Sequence, residues 1–239
     1  MAIVSSLCAA SWHDPYARGR GEFDRGLYAQ AITDYTCALG LAEASRDRAV
    51  ILYSLALAHA TSGELLQAEQ DYRKALDIFR REGNSVELAL ALAGLGDIYR
   101  EQHDLDDALA AERQALAILE LLGKGDTHQA ADVLIITGEV LSDQRRFKAA
   151  QRCTEEGLAI YERTLGPEHP DFAAGLNNLG VIELERRHAA AAETLFERAL
   201  GIRLASLGPE HPLTAATLRS LASAHAAKKG HPLLPASHR

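Results

Sequence analysis

The sequence predicts an all-α fold of stacked helix pairs, and three observations carry that prediction. A six-residue phrase occurs twice: Leu165-Gly166-Pro167-Glu168-His169-Pro170 returns as Leu207-Gly208-Pro209-Glu210-His211-Pro212, 42 residues later. Small residues recur at fixed offsets along most of the chain. Hydrophobic residues make up 47% of the 239 positions but aromatics only 5%, and alanine and leucine fill much of the difference. A long repeat marks a chain whose units bury their apolar faces only against their neighbours. Alanine and leucine are strong helix formers, and methyl-sized side chains let helix axes come close.

The register is set by a small residue near the middle of each first helix. These anchors are Gly19, Ala56, Gly96, Gly138, Gly180 and Ala222, spaced by 37, 40, 42, 42 and 42 residues. Twelve residues after each anchor but the last stands an alanine: Ala31, Ala68, Ala108, Ala150 and Ala192. Seven further on comes Ala38, Ala75, Ala115, Gly157 or Ala199. Leu55, Leu95, Thr137, Leu179 and Leu221 precede the anchors, and Tyr35, Tyr72 and Phe196 lie four residues after the alanines. A glycine inside a helix costs about 1 kcal/mol relative to alanine, so its use here points to a contact that needs the missing methyl.

The elements follow in order. Asp14-Pro15 reads as a helix start, with Asp14 at the N-cap and Pro15 at the first helical position. First helices are expected at about 15–25, 47–62, 85–102, 127–144, 170–186 and 212–227, and second helices at about 27–44, 64–81, 104–122, 146–165 and 188–206. Breaks fall at Gly63, Gly83-Asn84, Gly123-Lys124-Gly125-Asp126, Gly166-Pro167 and Gly208-Pro209. Pro170 and Pro212 open their helices. The organisation is then an N-terminal extension (1–14), a repeat solenoid (15–227) and a basic tail (228–239). The repeats run at about 15–45, 47–83, 85–124, 127–166 and 170–207, closed by a capping helix at 212–227. Ser220, Ser223, His225 and Lys228 give that cap its polar positions. The tail, with two prolines and no periodicity, is expected to be disordered.

The formal net charge of −8 speaks against nucleic acid as a partner, and no face shows an excess of Lys and Arg. Cys8, Cys37 and Cys153 share no metal-ligand spacing. They read as free thiols in a reducing compartment, with Cys37 and Cys153 as buried small hydrophobes. No stretch approaches the length of a membrane-spanning helix. A cytoplasmic protein is expected.

Leu95-Gly96-Asp97-Ile98-Tyr99, followed by Ala108 and Ala115, resembles a tetratricopeptide repeat. The longer form, with Leu-Gly-Pro-Glu-His-Pro and Leu176-Asn177-Asn178-Leu179-Gly180, resembles the repeats of kinesin light chains and their bacterial relatives. The likeness covers residues 15–227 and is strongest from 127 to 222. The family's unit is about 34 residues; the longer period here implies longer helices. Glu112 and Thr154 replace the aromatic that the family places four residues after the alanine, which implies looser packing there. The coiled coil that precedes the repeats in kinesin light chains is not in this sequence, so a motor-adaptor role is not expected.

The resemblance implies a right-handed superhelix of about five helix pairs plus the cap. First helices line its concave face, which holds a peptide or a partner helix. Carrying the family's groove positions over places Tyr53, Asp97, Arg100, Glu101, Asp132, Glu139, Asp143, Asn177, Glu185 and Arg219 on that face, with Asn178 beside it. Tyr16, Arg20 and Phe23 extend it. Six carboxylates against two arginines favour a ligand with Lys or Arg, and argue against capture of a C-terminal carboxylate. Asn177 and Asn178 both donate and accept, which suits the backbone of an extended peptide.

Catalytic signatures are missing. Gly123-Lys124-Gly125-Asp126-Thr127 lacks the spacing of a phosphate-binding loop, and neither a His-Glu-x-x-His nor a Gly-x-Ser-x-Gly occurs. His169 and His211, one repeat apart, read as parts of a turn rather than as metal ligands. The expectation is a non-catalytic scaffold without cofactor or metal, monomeric or weakly dimeric, that binds a protein or peptide. The alternative is an effector-sensing regulator that binds a small molecule or signalling peptide. A self-assembling structural protein is a third reading, and the polar final helix speaks against it.

Overall fold

A computed structural model describes residues 11–229. The first ten residues, with Cys8, and the tail from residue 230 lie outside the described residues. Among the described residues there are eleven α-helices and no strand: α1 (His13–Asp24), α2 (Tyr28–Leu41), α3 (Ser45–Thr61), α4 (Leu65–Glu82), α5 (Val86–Glu101), α6 (Leu105–Leu121), α7 (His128–Asp143), α8 (Phe147–Thr164), α9 (Pro170–Glu185), α10 (Ala189–Leu207) and α11 (Pro212–Lys228). The all-α class read from the repeat is the class observed, and each helix end falls within three residues of its expected place.

The chain forms two compact units, up to Leu122 and from Gly123. In the first, α1 packs on α2, α3 on α4 and α5 on α6, with α2 against α3 and α4 against α5. In the second, α7 packs on α8 and α9 on α10, with α8 against α9 and α10 against α11. There α9 also touches both α7 and α11, so first helices lie side by side.

The anchors explain each pair. A Cβ added at Gly180 would lie 2.6 Å from the Phe196 ring, and one at Gly19 would lie 2.8 Å from the Tyr35 ring. At Gly96 it would meet Glu112 Oε1 at 2.5 Å, and at Gly138 it would collide with the Thr154 hydroxyl. Position 138 thus meets 150 and 154, while 131 and 135 meet Gly157, so α7 and α8 run antiparallel. Ala31, Ala68, Ala108, Ala150 and Ala192 are all fully buried. Glu112 and Thr154, at the aromatic's place, are fully buried too. Ala222 is exposed, because no second helix among the described residues covers that side of α11.

The turns repeat as well. Within each pair the chain reverses through one left-handed residue: Gly26 (φ 75°), Gly63 (83°), His103 (66°), Arg145 (58°) and Arg187 (66°). Glycine takes this conformation without steric cost, whereas a Cβ there costs about 1 kcal/mol. Between pairs, the Pro-Glu-His-Pro phrase starts a helix. His169 and His211 are N-caps whose Nδ1 atoms accept from the N–H groups of Asp171 and Leu213 at 3.2 Å, with Pro170 and Pro212 just inside the helix. A proline there loses no hydrogen bond, since the first helical N–H groups have no intrahelical acceptor. The N-terminal start differs from expectation. Helix α1 begins at His13 with Trp12 as N-cap, and Asp14 sits in the first turn. The Ser11 hydroxyl takes the His13 N–H at 3.3 Å, which moves the start upstream of Asp14.

Two further corrections concern the cysteines. Cys37 is disulfide-bonded, not a free thiol. Cys153 is free but only half-buried, because Ala150 and Thr154 take the face that α7 covers. The final helix is tied on by polar contacts. Buried Arg203 donates from Nη1 to the Leu213 carbonyl (3.0 Å) and to the Thr217 hydroxyl (2.5 Å), and burial lowers its pKa. Glu193 on α10 takes Lys228 (2.5 Å) and His225 (2.8 Å) from α11.

Replacing Gly180 with leucine is expected to lower stability by about 2–3 kcal/mol, because Phe196 is enclosed and cannot retreat. A thermal melt of the variant checks this. Arg187→Gly tests the turn: relief of the left-handed strain outweighs the added unfolded-state freedom, for a net gain of about 0.5 kcal/mol. A melting temperature below that of the natural chain would show that the arginine makes a stabilising contact instead.

Candidate functional site

The eleven positions expected to line a groove all lie on first helices. Tyr53 is on α3. Asp97, Arg100 and Glu101 are on α5; Asp132, Glu139 and Asp143 on α7; Asn177, Asn178 and Glu185 on α9; Arg219 on α11. None is buried, since the apolar stripe of each first helix faces its second helix and the polar residues take the remaining arc. Tyr53, Asp97, Arg100 and Glu101 belong to the first unit and the other seven to the second. Tyr16 and Phe23 pack against the core around Tyr35, and the Tyr16 hydroxyl lies 3.0 Å from Ser54 Oγ, so both hold α1 in place. Arg20 is exposed.

In the first unit, Arg100 sits between two carboxylates: its Nη2 is 3.0 Å from Asp97 and 2.9 Å from Glu101. Tyr53 packs edge-on to Tyr72, with centroids 5.9 Å apart. In the second unit the groups are tied across helices. Asn178 on α9 donates from Nδ2 to Glu139 Oε1 on α7 at 2.5 Å. The Tyr161 hydroxyl on α8 donates to the Asp132 carboxylate. Burial pushes the Asp132 carboxyl above its ordinary 3.8, outweighing the Tyr161 hydrogen bond that pulls it down, and Asp171 adds repulsion. The same burial, with Asp132 beside it, raises the Tyr161 phenol. Asn177 Oδ1 is enclosed and has no hydrogen-bond partner among the described residues. Asp143, Glu185 and Arg219 are exposed. Asp132 and Glu139 therefore act partly as structural ties.

Glu193, Glu197 and His225 each place one possible metal-ligand atom within 4.8 Å of the others. Lys228 already holds Glu193 at 2.5 Å, so a cation would have to displace an ammonium. Another surface was not foreseen. Arg145, Arg146, Lys148, Arg152, Arg186 and His188 line a cavity of about 580 Å³ at the α7–α8 and α9–α10 turns. This corrects the expectation that no face carries a Lys/Arg excess. The signal was the pair Arg145-Arg146-Phe147-Lys148 and Arg186-Arg187-His188, whose turn positions recur one 42-residue period apart. A charge total over the whole chain averages it away.

The tetratricopeptide repeat model matches residues 47–120, 129–205 and 171–232. The chain belongs to the tetratricopeptide repeat family. Photosystem I assembly protein Ycf3 of Cyanophora paradoxa is 32% identical over 101 residues, which is 42% of this chain and 58% of that protein. The chain thus spans a little over half the length of that relative. A Rap protein in complex with competence and sporulation factor superposes with a TM-score of 0.76 at 17% identity, over 90% of this tetratricopeptide repeat chain and 58% of the Rap chain. A kinesin light chain with nearly identical repeats, from Podosopora anserina, gives a TM-score of 0.64 at 16% identity, covering 81% of this chain and 95% of its own. The two structures share the tetratricopeptide fold and, with the family match, support the kinesin light chain-like resemblance. Among the described residues no helix is long and apolar enough to cross a membrane.

Asp132→Asn tests the buried carboxyl. The folded-state pKa of Asp132 is raised, so its ionisation costs stability above that pKa and nothing below the unfolded value. Asparagine keeps an acceptor for Tyr161 and removes the charge. The variant is expected to be the more stable form at neutral pH, and its advantage should vanish as pH falls below 3.8. Denaturant midpoints measured across that range check it.

Proposed function

We propose that this tetratricopeptide repeat protein is a non-catalytic interaction scaffold. Its second unit takes an extended, Lys- or Arg-bearing segment of a partner across α7 and α9. The observation that carries this reading is Asn177. Its enclosed Oδ1 lacks a partner, and an unsatisfied buried acceptor costs about 1–3 kcal/mol. Turned outward, the Asn177 amide would accept from a backbone N–H of a bound strand. About two turns further along, Asp143 and Glu185 end their helices at equivalent positions and offer carboxylates to cationic side chains. The Asn178–Glu139 bond holds α9 against α7, so the surface is organised before binding, which lowers the entropy cost.

The relatives fit a scaffold. Ycf3 is by name an assembly protein, and a comparable role here would be to hold a subunit during assembly of a larger complex. The Rap structure contains bound competence and sporulation factor, and that observation favours the second reading, a regulator that responds to a signalling peptide or small molecule.

A short fluorescein-labelled peptide of alternating lysine and alanine, titrated against the full chain, is expected to bind in the micromolar range. Asp143→Lys with Glu185→Lys should weaken it about tenfold, or 1.4 kcal/mol, with helicity unchanged by circular dichroism. Asn177→Ala should weaken it while leaving its salt dependence intact. Unchanged affinity in both variants would remove the site from this face. Thermal-shift screening with metabolites and unrelated short peptides separates the effector-sensing reading.

A further inference from the structure

The cavity at the α7–α8 and α9–α10 turns gathers cations in a chain whose net charge is −8. Arg186 Nη1 lies 2.7 Å from Glu183 Oε1, and His188 Nδ1 lies 2.6 Å from Glu183 Oε2, so one buried carboxylate serves both. Arg146 donates to the Gln144 side chain at 3.2 Å, and the Arg145 guanidinium lies 5.4 Å over the Phe147 ring. Among the described residues, none of Arg145, Arg146, Lys148 and Arg152 is in an ion pair. Four exposed cations therefore share one wall without a carboxylate to balance them. Their mutual repulsion is an unfavourable term that an anionic ligand would turn into an attractive one.

The backbone adds to the same field. Helices α8 and α10 begin here, with Arg146 and His188 at their N-caps, and neither side chain caps the first turn. Arginine has no acceptor and cannot cap. The free N–H groups and the positive end of each helix dipole are left to an outside acceptor.

We propose that this cavity docks an acidic peptide segment of a partner protein, with its Asp and Glu side chains paired by Arg146, Lys148 and Arg152. Guanidinium forks match carboxylates in two-point geometry. Phe147 supplies apolar wall for the aliphatic part of a Glu side chain. The unpaired cations run from the α7–α8 turn into the first turns of α8, which suits carboxylates spaced along an extended chain. A nucleic-acid backbone needs a continuous basic track, whereas Asp143, Glu155 and Glu185 interrupt this one in the flanking helices. The surface adjoins the α7–α9 face and is opposite to it in charge, so the two can take segments of opposite sign.

The test uses the full chain and three labelled probes of equal length: a Glu-Ser peptide, a Lys-Ser peptide and oligothymidylate. The Glu-Ser peptide is expected to bind, and to bind more weakly as salt is raised. Arg146→Gln with Lys148→Gln and Arg152→Gln should weaken it about tenfold or more, while the melting temperature stays the same or rises and Lys-Ser binding is unaffected. Lys148→Glu alone, at an exposed position, gives a smaller loss and guards against misfolding of the triple variant. No binding of the Glu-Ser peptide, or equal affinity in the variants, would overturn the proposal. Tighter binding of oligothymidylate that is lost in the same variants would also overturn it, and reassign the cavity to nucleic acid.

Discussion

One steric constraint underlies both units: at the middle of each helix pair there is no room for a side chain larger than a methyl group. Gly19, Gly96, Gly138 and Gly180 each face a side chain from the partner helix at a distance a Cβ could not tolerate. The partner is an aromatic ring in two pairs, a carboxylate in the third and a hydroxyl in the fourth. The glycine fixes the depth at which the second helix sits. That depth decides which residues of the first helix are enclosed and which are left on the open arc. The polar positions on α5, α7 and α9 follow from a contact made on the opposite side of the same helices.

The fold was legible because this constraint leaves a mark in the sequence. Gly180, Ala192 and Phe196 occur at offsets that only a packed pair requires, and proline and glycine punctuate the ends. The first helix start was misread, because Asp14-Pro15 is a good local signal and Ser11 offers a better one two residues before the helix begins. The eleven expected positions were placed on first helices, but their interactions were not legible. Glu139 and Asn178 stand 39 residues apart and Asp132 and Tyr161 stand 29 apart, and nothing local in either partner announces the other. The basic cavity was visible only as two short runs in equivalent turns, and a whole-chain charge conceals a local excess of the opposite sign.

Electrostatics in the second unit is therefore layered. Exposed carboxylates close the ends of α7 and α9, and the cations begin in the very next turn. Buried Glu183 binds Arg186 and His188, and Arg145, Arg146, Lys148 and Arg152 are in no ion pair among the described residues. Such an arrangement draws little stability from its surface charges, since exposed pairs contribute little. Its consequence lies in recognition, where opposite potentials on neighbouring surfaces discriminate between ligands by sign.

The constant period has an ancestral consequence. From Gly96 to Gly138 to Gly180 the anchor, its alanine and its turn return at identical offsets. A stretch of gene of that length, copied or lost in frame, would hand on a helix pair with its inner contact already complete. A change by half that length would instead leave a first helix facing another first helix, with two glycines opposed and no ring to fill the gap. Unequal crossing-over is thus filtered by the packing itself: whole modules survive as folded chains, and fragments of modules do not. The history open to such a protein is lengthening and shortening by units.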